Sequence, residues 1–243
     1  MPDFKESIYK EYHKVHTKYL YGEATSGKIE NQFNVWKYYF GDYLPQDKSI
    51  SILDAGCGYG GFVYWLNQMG YKNATGVDVS EELFSISQKL KITNIICGDV
   101  FEFLGNNKDR YDIIFARDIL EHFTKEKIYE LGTLFFNSLK KDGVLIIQVP
   151  NGQSPSVGRI FHSDFTHETL FTYISVRQIF STIGFSSYAF KEVTPVPKGL
   201  FSVIRFILWK ILRTSMRIYQ AIETGNLSGY FSQNLIAVIK KHS

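Results

Sequence analysis

Three glycines at alternate positions, Asp54-Ala55-Gly56-Cys57-Gly58-Tyr59-Gly60, stand between an apolar run and a helix-periodic one. Glycine accepts left-handed backbone and lets a ligand approach the main chain closely. The run therefore predicts a tight turn leading from a strand, Ser49–Asp54, into a helix, Phe62–Met69. The spacing is not the Gly-x-Gly-x-x-Gly of dinucleotide sites, and an acid lies two residues ahead of the first glycine. Asp54 would repel a phosphate and suits a cationic ligand. A turn of this kind binds ligands where it occupies the switch point of a doubly wound sheet.

The rest of the first 150 residues supplies such a sheet. Ala74–Val79, Ile92–Gly98, Tyr111–Ala116 and Gly143–Val149 read as strands, with helices over Glu81–Leu90 and Lys125–Leu139. Strands alternating with helices of this length imply a mostly parallel sheet covered on both faces. Upstream, Tyr9, Tyr12, His13, His16, Tyr19 and Leu20 recur at helical spacing, Gly22–Gly27 breaks the run, and Ile29–Tyr39 forms a further helix. Downstream, Asn151–Thr166 is a polar loop and Ser175–Gly184 a helix. Phe185–Val193 and Gln233–Lys240 are the closing strands. We therefore expect one domain: a helical cap over residues 1–45, a ligand-binding core over 46–150, and elements facing a second substrate over 151–243.

Residues 198–229, between the closing strands, are too long for a hairpin. They contain an apolar stretch, Leu200–Tyr219, in which Arg205, Lys210, Arg213 and Arg217 share one helical sector, as one basic amphipathic helix or two pieces of one. A lid, a membrane-surface helix and a homodimer element all fit it. The 243 residues carry 27 basic and 24 acidic side chains, too small an excess to argue a nucleic-acid partner. Cys57 and Cys97 make neither a disulfide framework nor a zinc site. The opening Met1–Glu6 lacks the apolar core of a signal peptide, so a cytoplasmic location is expected, with contact at the inner membrane face if the amphipathic helix binds there.

Residues 50–150 resemble the class I S-adenosylmethionine-dependent methyltransferases: a Rossmann-like, doubly wound α/β fold of seven strands whose last runs antiparallel. Asp54-x-Gly56-x-Gly58-x-Gly60 is similar to the family's first motif. Val77-Asp78-Val79-Ser80 is similar to the acidic end of its second strand, which holds the ribose hydroxyls. Gly98-Asp99-Val100 resembles the adenine-binding position, and Phe115-Ala116-Arg117-Asp118 with Leu120-Glu121-His122 the turn that skirts the methionine part. The resemblance thus implies S-adenosylmethionine as cofactor. It assigns Asp54, Gly56, Gly58, Gly60, Asp78, Val79, Asp99, Val100 and Arg117 to its binding. Pro150-Asn151-Gly152, Asp164-Phe165-Thr166-His167 and Phe171-Thr172-Tyr173-Ile174-Ser175 resemble a branch acting in polysaccharide, lipid-head-group and natural-product methylation. That branch implies a glycan or small-molecule acceptor.

Some residues admit plainer roles. Asp78 could cap a helix, but Ser80 can do so in its place. Phe101 and Phe103 suit adenine stacking or the core. His122 is either a base or a shaper of the site. His162, Asp164 and His167 could bind a divalent ion, but a base, His167 held by Asp164, fits the loop better. A helix-start cap at Thr166 competes with both. We expect no metal. A sulfonium donor needs alignment and removal of the acceptor's proton, and two histidines near the site suit a sugar or nucleotide-linked hydroxyl. A small amine or phenol is the alternative acceptor, and a non-catalytic cofactor-binding subunit the alternative of another class.

Overall fold

A computed structural model describes residues 4–242; the first three residues of the opening stretch read for a leader, and the side chains of His13 and Leu20, lie outside it. The strands are β1 (Ile52–Ala55), β2 (Ala74–Asp78), β3 (Ile95–Cys97), β4 (Tyr111–Arg117), β5 (Leu139–Pro150), β6 (Ser187–Glu192) and β7 (Asn234–Lys240). They form one sheet in the order β3-β2-β1-β4-β5-β7-β6. β1 pairs in parallel with both β2 and β4, so the chain reverses its direction of growth there. β7 runs antiparallel between β5 and β6. This is the expected seven-stranded Rossmann-like sheet.

The helices are α1 (Phe4–Lys10), α2 (Lys18–Tyr21), α3 (Ser26–Phe40), α4 (Gly61–Gln68), α5 (Glu81–Lys89), α6 (Val100–Gly105), α7 (Lys125–Ser138), α8 (Val157–Phe161), α9 (Tyr173–Ile183) and α10 (Leu200–Thr224). A wide π-type turn, His13–Thr17, joins the first two. The period-two alternation of the central strands divides the core. Leu53, Ala55, Ile114 and Ala116 face the side packed by Leu131, Phe135 and Phe180 of α7 and α9. Ile52, Ile113 and Phe115 face Phe40, Phe62 and Trp65 of α3 and α4. Because both faces are covered, the inner strands are largely apolar.

Two details depart from the sequence expectation, and a third decides between alternatives it left open. α6 was not anticipated, and it starts at Asp99, whose carboxylate caps it. α8 interrupts the polar loop after β5. α10 is a single unbroken helix of 25 residues with no buried residue. Of its four cations, Arg213 and Arg217 are half-buried, and Arg213 pairs with Glu192 at the end of β6.

Candidate active site

The turn from β1 into α4 opens a cleft of about 740 Å³ at the carboxyl edge of the parallel strands. Gly56 and Gly58 adopt φ of +71° and +57° there. A Cβ on Gly56 would lie 2.7 Å from Ile119 Cδ1. Only a residue without a side chain fits that backbone.

Gly56, Gly58, Asp78, Val79, Asp99, Val100 and Arg117 all line this cleft. Asp78 ends β2. Its Oδ2 accepts from the Gly58 amide at 2.7 Å and its Oδ1 from the Ser80 amide at 2.9 Å. Ser80 Oγ caps α5 by accepting from Leu83 N, so Asp78 is not needed as the cap. Burial pushes the Asp78 carboxyl above its ordinary range, and the two amide bonds oppose that. Asp99 Oδ1 accepts from the Phe101 and Glu102 amides at 2.7 and 3.1 Å.

Two residues grouped with these lie elsewhere. Asp54 is fully buried beneath the cleft, with Oδ2 3.3 Å from Arg117 Nη2. It positions Arg117, whose guanidinium also lies 3.9 Å over the Phe62 ring. Gly60 is the left-handed residue at the start of α4 and packs under Ile95, off the cleft wall. Phe101 and Phe103 also leave the cleft and pack on the core.

The histidines are arranged differently from the expectation. Asp164 does not hold the His167 ring, because its carboxylate is fully engaged by others. Oδ1 accepts from Thr166 N (2.9 Å) and Thr166 Oγ1 (2.6 Å), and Oδ2 accepts from the Tyr12 hydroxyl (2.5 Å). His16 Nε2 lies 3.5 Å from Oδ2. Burial works against this charge, but the bonds from Thr166 and Tyr12 outweigh it and hold the carboxyl at about 2. His167 Nδ1 instead meets the carbonyl of Phe161 at 3.0 Å.

His122 is the residue connected to Asp164. Its Nδ1 is 2.7 Å from Thr166 Oγ1. The Thr166 hydroxyl proton is committed to Asp164, so Thr166 Oγ1 accepts from His122 Nδ1–H. That fixes the tautomer and leaves the lone pair on His122 Nε2. His122 lines the cleft; His167 and Asp164 do not. Burial lowers the His122 pKa from 6.5 to about 4, and the neighbouring His167 adds to the effect. The ring is neutral at physiological pH.

His162 is exposed and stands apart from the others. Among the described residues, the metal-ligand types that do meet as a group of three are Glu121, His122 and His167, with one ligand-capable atom of each within 4.8 Å of the rest. Glu121 is 1% exposed. Its backbone carbonyl, which accepts from the Glu168 and Thr169 amides, ties this turn to the loop after β5.

Sequence reasoning missed the roof of the cleft. Phe4, Lys5, Tyr9 and Tyr12 reach over it from the N-terminal helices. Lys5 Nζ donates to the His122 carbonyl at 2.5 Å. Burial raises the Tyr9 hydroxyl to about 12. The aromatic spacing at Tyr9, Tyr12 and His16 was the available signal; it gave a helix without its destination.

A family model described as a methyltransferase domain matches residues 31–188. No curated protein matches. Among solved structures, a SAM-dependent methyltransferase from Archaeoglobus fulgidus superimposes with a TM-score of 0.65 at 21% identity, covering 89% of this chain and 97% of that one. An S-adenosylmethionine-dependent methyltransferase from Mesorhizobium loti gives 0.61 at 14% identity, covering 88% and 100%. Phosphoethanolamine N-methyltransferase 2 of Haemonchus contortus, in complex with S-adenosyl-L-methionine, gives 0.61 at 18% identity, covering 97% of this chain and 60% of that one.

Proposed function

The chain belongs to the S-adenosylmethionine-dependent methyltransferases, and from that premise we propose that it methylates a hydroxyl of a sugar or nucleotide-linked polar substrate in glycan biosynthesis, of the capsule or O-antigen type. When bound, the cofactor supplies a methyl group on a positively charged sulfur, already activated for transfer. The cleft fits it: a half-buried carboxylate at the end of β2, a glycine turn open to close approach, and apolar walls at Val79, Leu83 and Val100. Asp78 would accept from the ribose hydroxyls. Asp99 would take the adenine amino group alongside its capping bond. Val79 and Val100 would flank the purine. Arg117, held by Asp54, would face the methionine carboxylate.

The observation that carries the choice of a hydroxyl is the neutral, weakly basic His122 in the cleft, with Nδ1 tied to Thr166 and Nε2 left as acceptor. A hydroxyl oxygen that has begun to bond a methyl carbon becomes far more acidic than an imidazolium of pKa about 4. His122 Nε2 can therefore take its proton, while Asp164, through Thr166, stabilises the charge that forms on the ring. An amine acceptor would arrive protonated at neutral pH, and so weak a base could not deprotonate it. The basic Lys127 on the cleft wall, together with the motif resemblance after β5, supports an anionic, sugar-linked acceptor. A small amine or phenol is the second reading, favoured by the phosphoethanolamine enzyme among the structural neighbours.

The test is release of S-adenosylhomocysteine across nucleotide sugars, sugar oligomers and small amines. We expect turnover with hydroxylated sugars. Turnover confined to amines overturns the assignment.

A further inference from the structure

α10 turns its apolar side outward. Its inner sector is formed by half-buried Phe206, Trp209, Arg213 and Gln220 and is fastened by the Arg213–Glu192 ion pair. On the opposite sector Phe201, Ile204, Ile211, Ile218 and Ile222 lie exposed, Phe201 at 83% and Ile222 at 82%. At 1.5 Å per residue this stripe, from Phe201 to Ile222, runs about 32 Å, and no charge interrupts it. Nothing among the described residues covers it. The helix is not apolar enough to cross a membrane.

Charge identifies the occupant. No acidic residue occurs from Leu200 to Ile222. The exposed cations Arg205 and Lys210 border the stripe on its two edges, and exposed Lys198 precedes it. Glu192 is taken by Arg213, and Glu223 lies in the last turn beyond the stripe. Two copies packed stripe to stripe would bring these cations together without a compensating acid. A bilayer carrying anionic headgroups meets the same cations with opposite charge and takes the apolar sector among its chains. Phe201 and Tyr219 add aromatic rings toward the two ends, as interfacial helices do.

We propose that α10 is an interfacial helix that seats the protein on an anionic membrane, apolar sector inward. The position bears on the site. Glu192 is level with Leu235, and Leu235 with Val149, so α10 is fastened at the same carboxyl edge that carries the cleft. From β4 to β6 is three strand spacings, about 14 Å.

The experiment is vesicle flotation of the whole protein, with phosphatidylglycerol–phosphatidylcholine vesicles compared with phosphatidylcholine alone. Wild type should float with the anionic vesicles and release as salt is raised. Ile211→Glu with Ile218→Glu should lower the bound fraction about tenfold or more, with an unchanged melting temperature and unchanged S-adenosylhomocysteine affinity. Arg205→Gln with Lys210→Gln should abolish the preference for anionic vesicles. If wild type floats with neither vesicle, the proposal falls. It falls equally if wild type is a dimer that Ile211→Glu converts to a monomer, which would make the stripe a contact between copies. Neither outcome touches the methyl-transfer reading, which the cofactor affinity monitors separately.

Discussion

At the residue scale the proposed proton transfer rests on Thr166, a residue that sequence reading valued only as a helix cap. One hydroxyl ties the Asp164 carboxylate to the His122 ring, reversing the expected ranking of the histidines. His122→Ala should lower turnover by about 10²–10⁴ with little change in cofactor affinity, while His167→Ala should do less. Thr166→Val should fall between them, because it frees the tautomer without removing the base. A histidine of ordinary pKa would give an acidic limb near pH 6–7. With His122 lowered to about 4 the ring stays unprotonated through neutrality, so the rate should be flat from pH 8 to 5 and fall only toward 4. A limb at 6–7 would refute the relay. Dialysis against a chelator tests the same cluster from another side. An unchanged rate keeps His122 as proton acceptor, whereas loss restored by a divalent ion makes Glu121, His122 and His167 its ligands. Asp78→Ala should weaken S-adenosylhomocysteine binding by one to several orders of magnitude, at about 1.5–3 kcal/mol per lost charge-assisted bond. Gly56, Gly58 and Asp78 were legible because backbone geometry and chain order alone place them. The Thr166 link was not, since it joins a turn after β4 to a loop after β5, 44 residues on.

At the element scale, the longer helices that alternate with strands were readable from periodicity, and the short α6 was not. α6 has six residues and takes its start from the Asp99 side chain, so it shows no amphipathic repeat of its own. The N-terminal segment is the other case. Its aromatic spacing predicts helix, yet what it covers is decided by bonds to distant residues: Tyr12 to Asp164, and Lys5 to the carbonyl of His122. Tyr12→Phe should therefore loosen the roof by the net value of one hydrogen bond to a charged group, about 1.5–3 kcal/mol. Limited proteolysis should show faster cleavage around Gly22–Thr25, and KM for the acceptor should rise more than kcat falls. Unchanged proteolysis would mean that the roof is held elsewhere. For α10 the amphipathicity was legible in the sequence and its direction was not. A helical wheel cannot say which side the Glu192 carboxylate will capture, and that ion pair turns half of the cations inward.

At the scale of the whole molecule, stability should follow the half-buried His122 imidazole. A ring whose pKa drops from 6.5 to about 4 on folding binds fewer protons folded than unfolded between those values. Stability is therefore lost as pH falls from about 6.5 toward 4. Melting temperatures should decline over that window in wild type and less steeply in His122→Gln. Saturating cofactor product acts in the other direction: at about a hundred times its dissociation constant it adds about 2.7 kcal/mol, which for a domain of this size raises the melting temperature by roughly 5–10 °C. An absent shift would argue against the cleft as the binding site. The sheet order has a consequence of its own. β6 touches only β7, and β7 alone connects it to β5. The earlier strand thus has nowhere to dock until the later one is in place, and β7 must first close a loop back across α10. Assembly of this edge runs against the direction of the chain, so β6 and α10 should be the last parts to gain amide protection during refolding and the first to lose it.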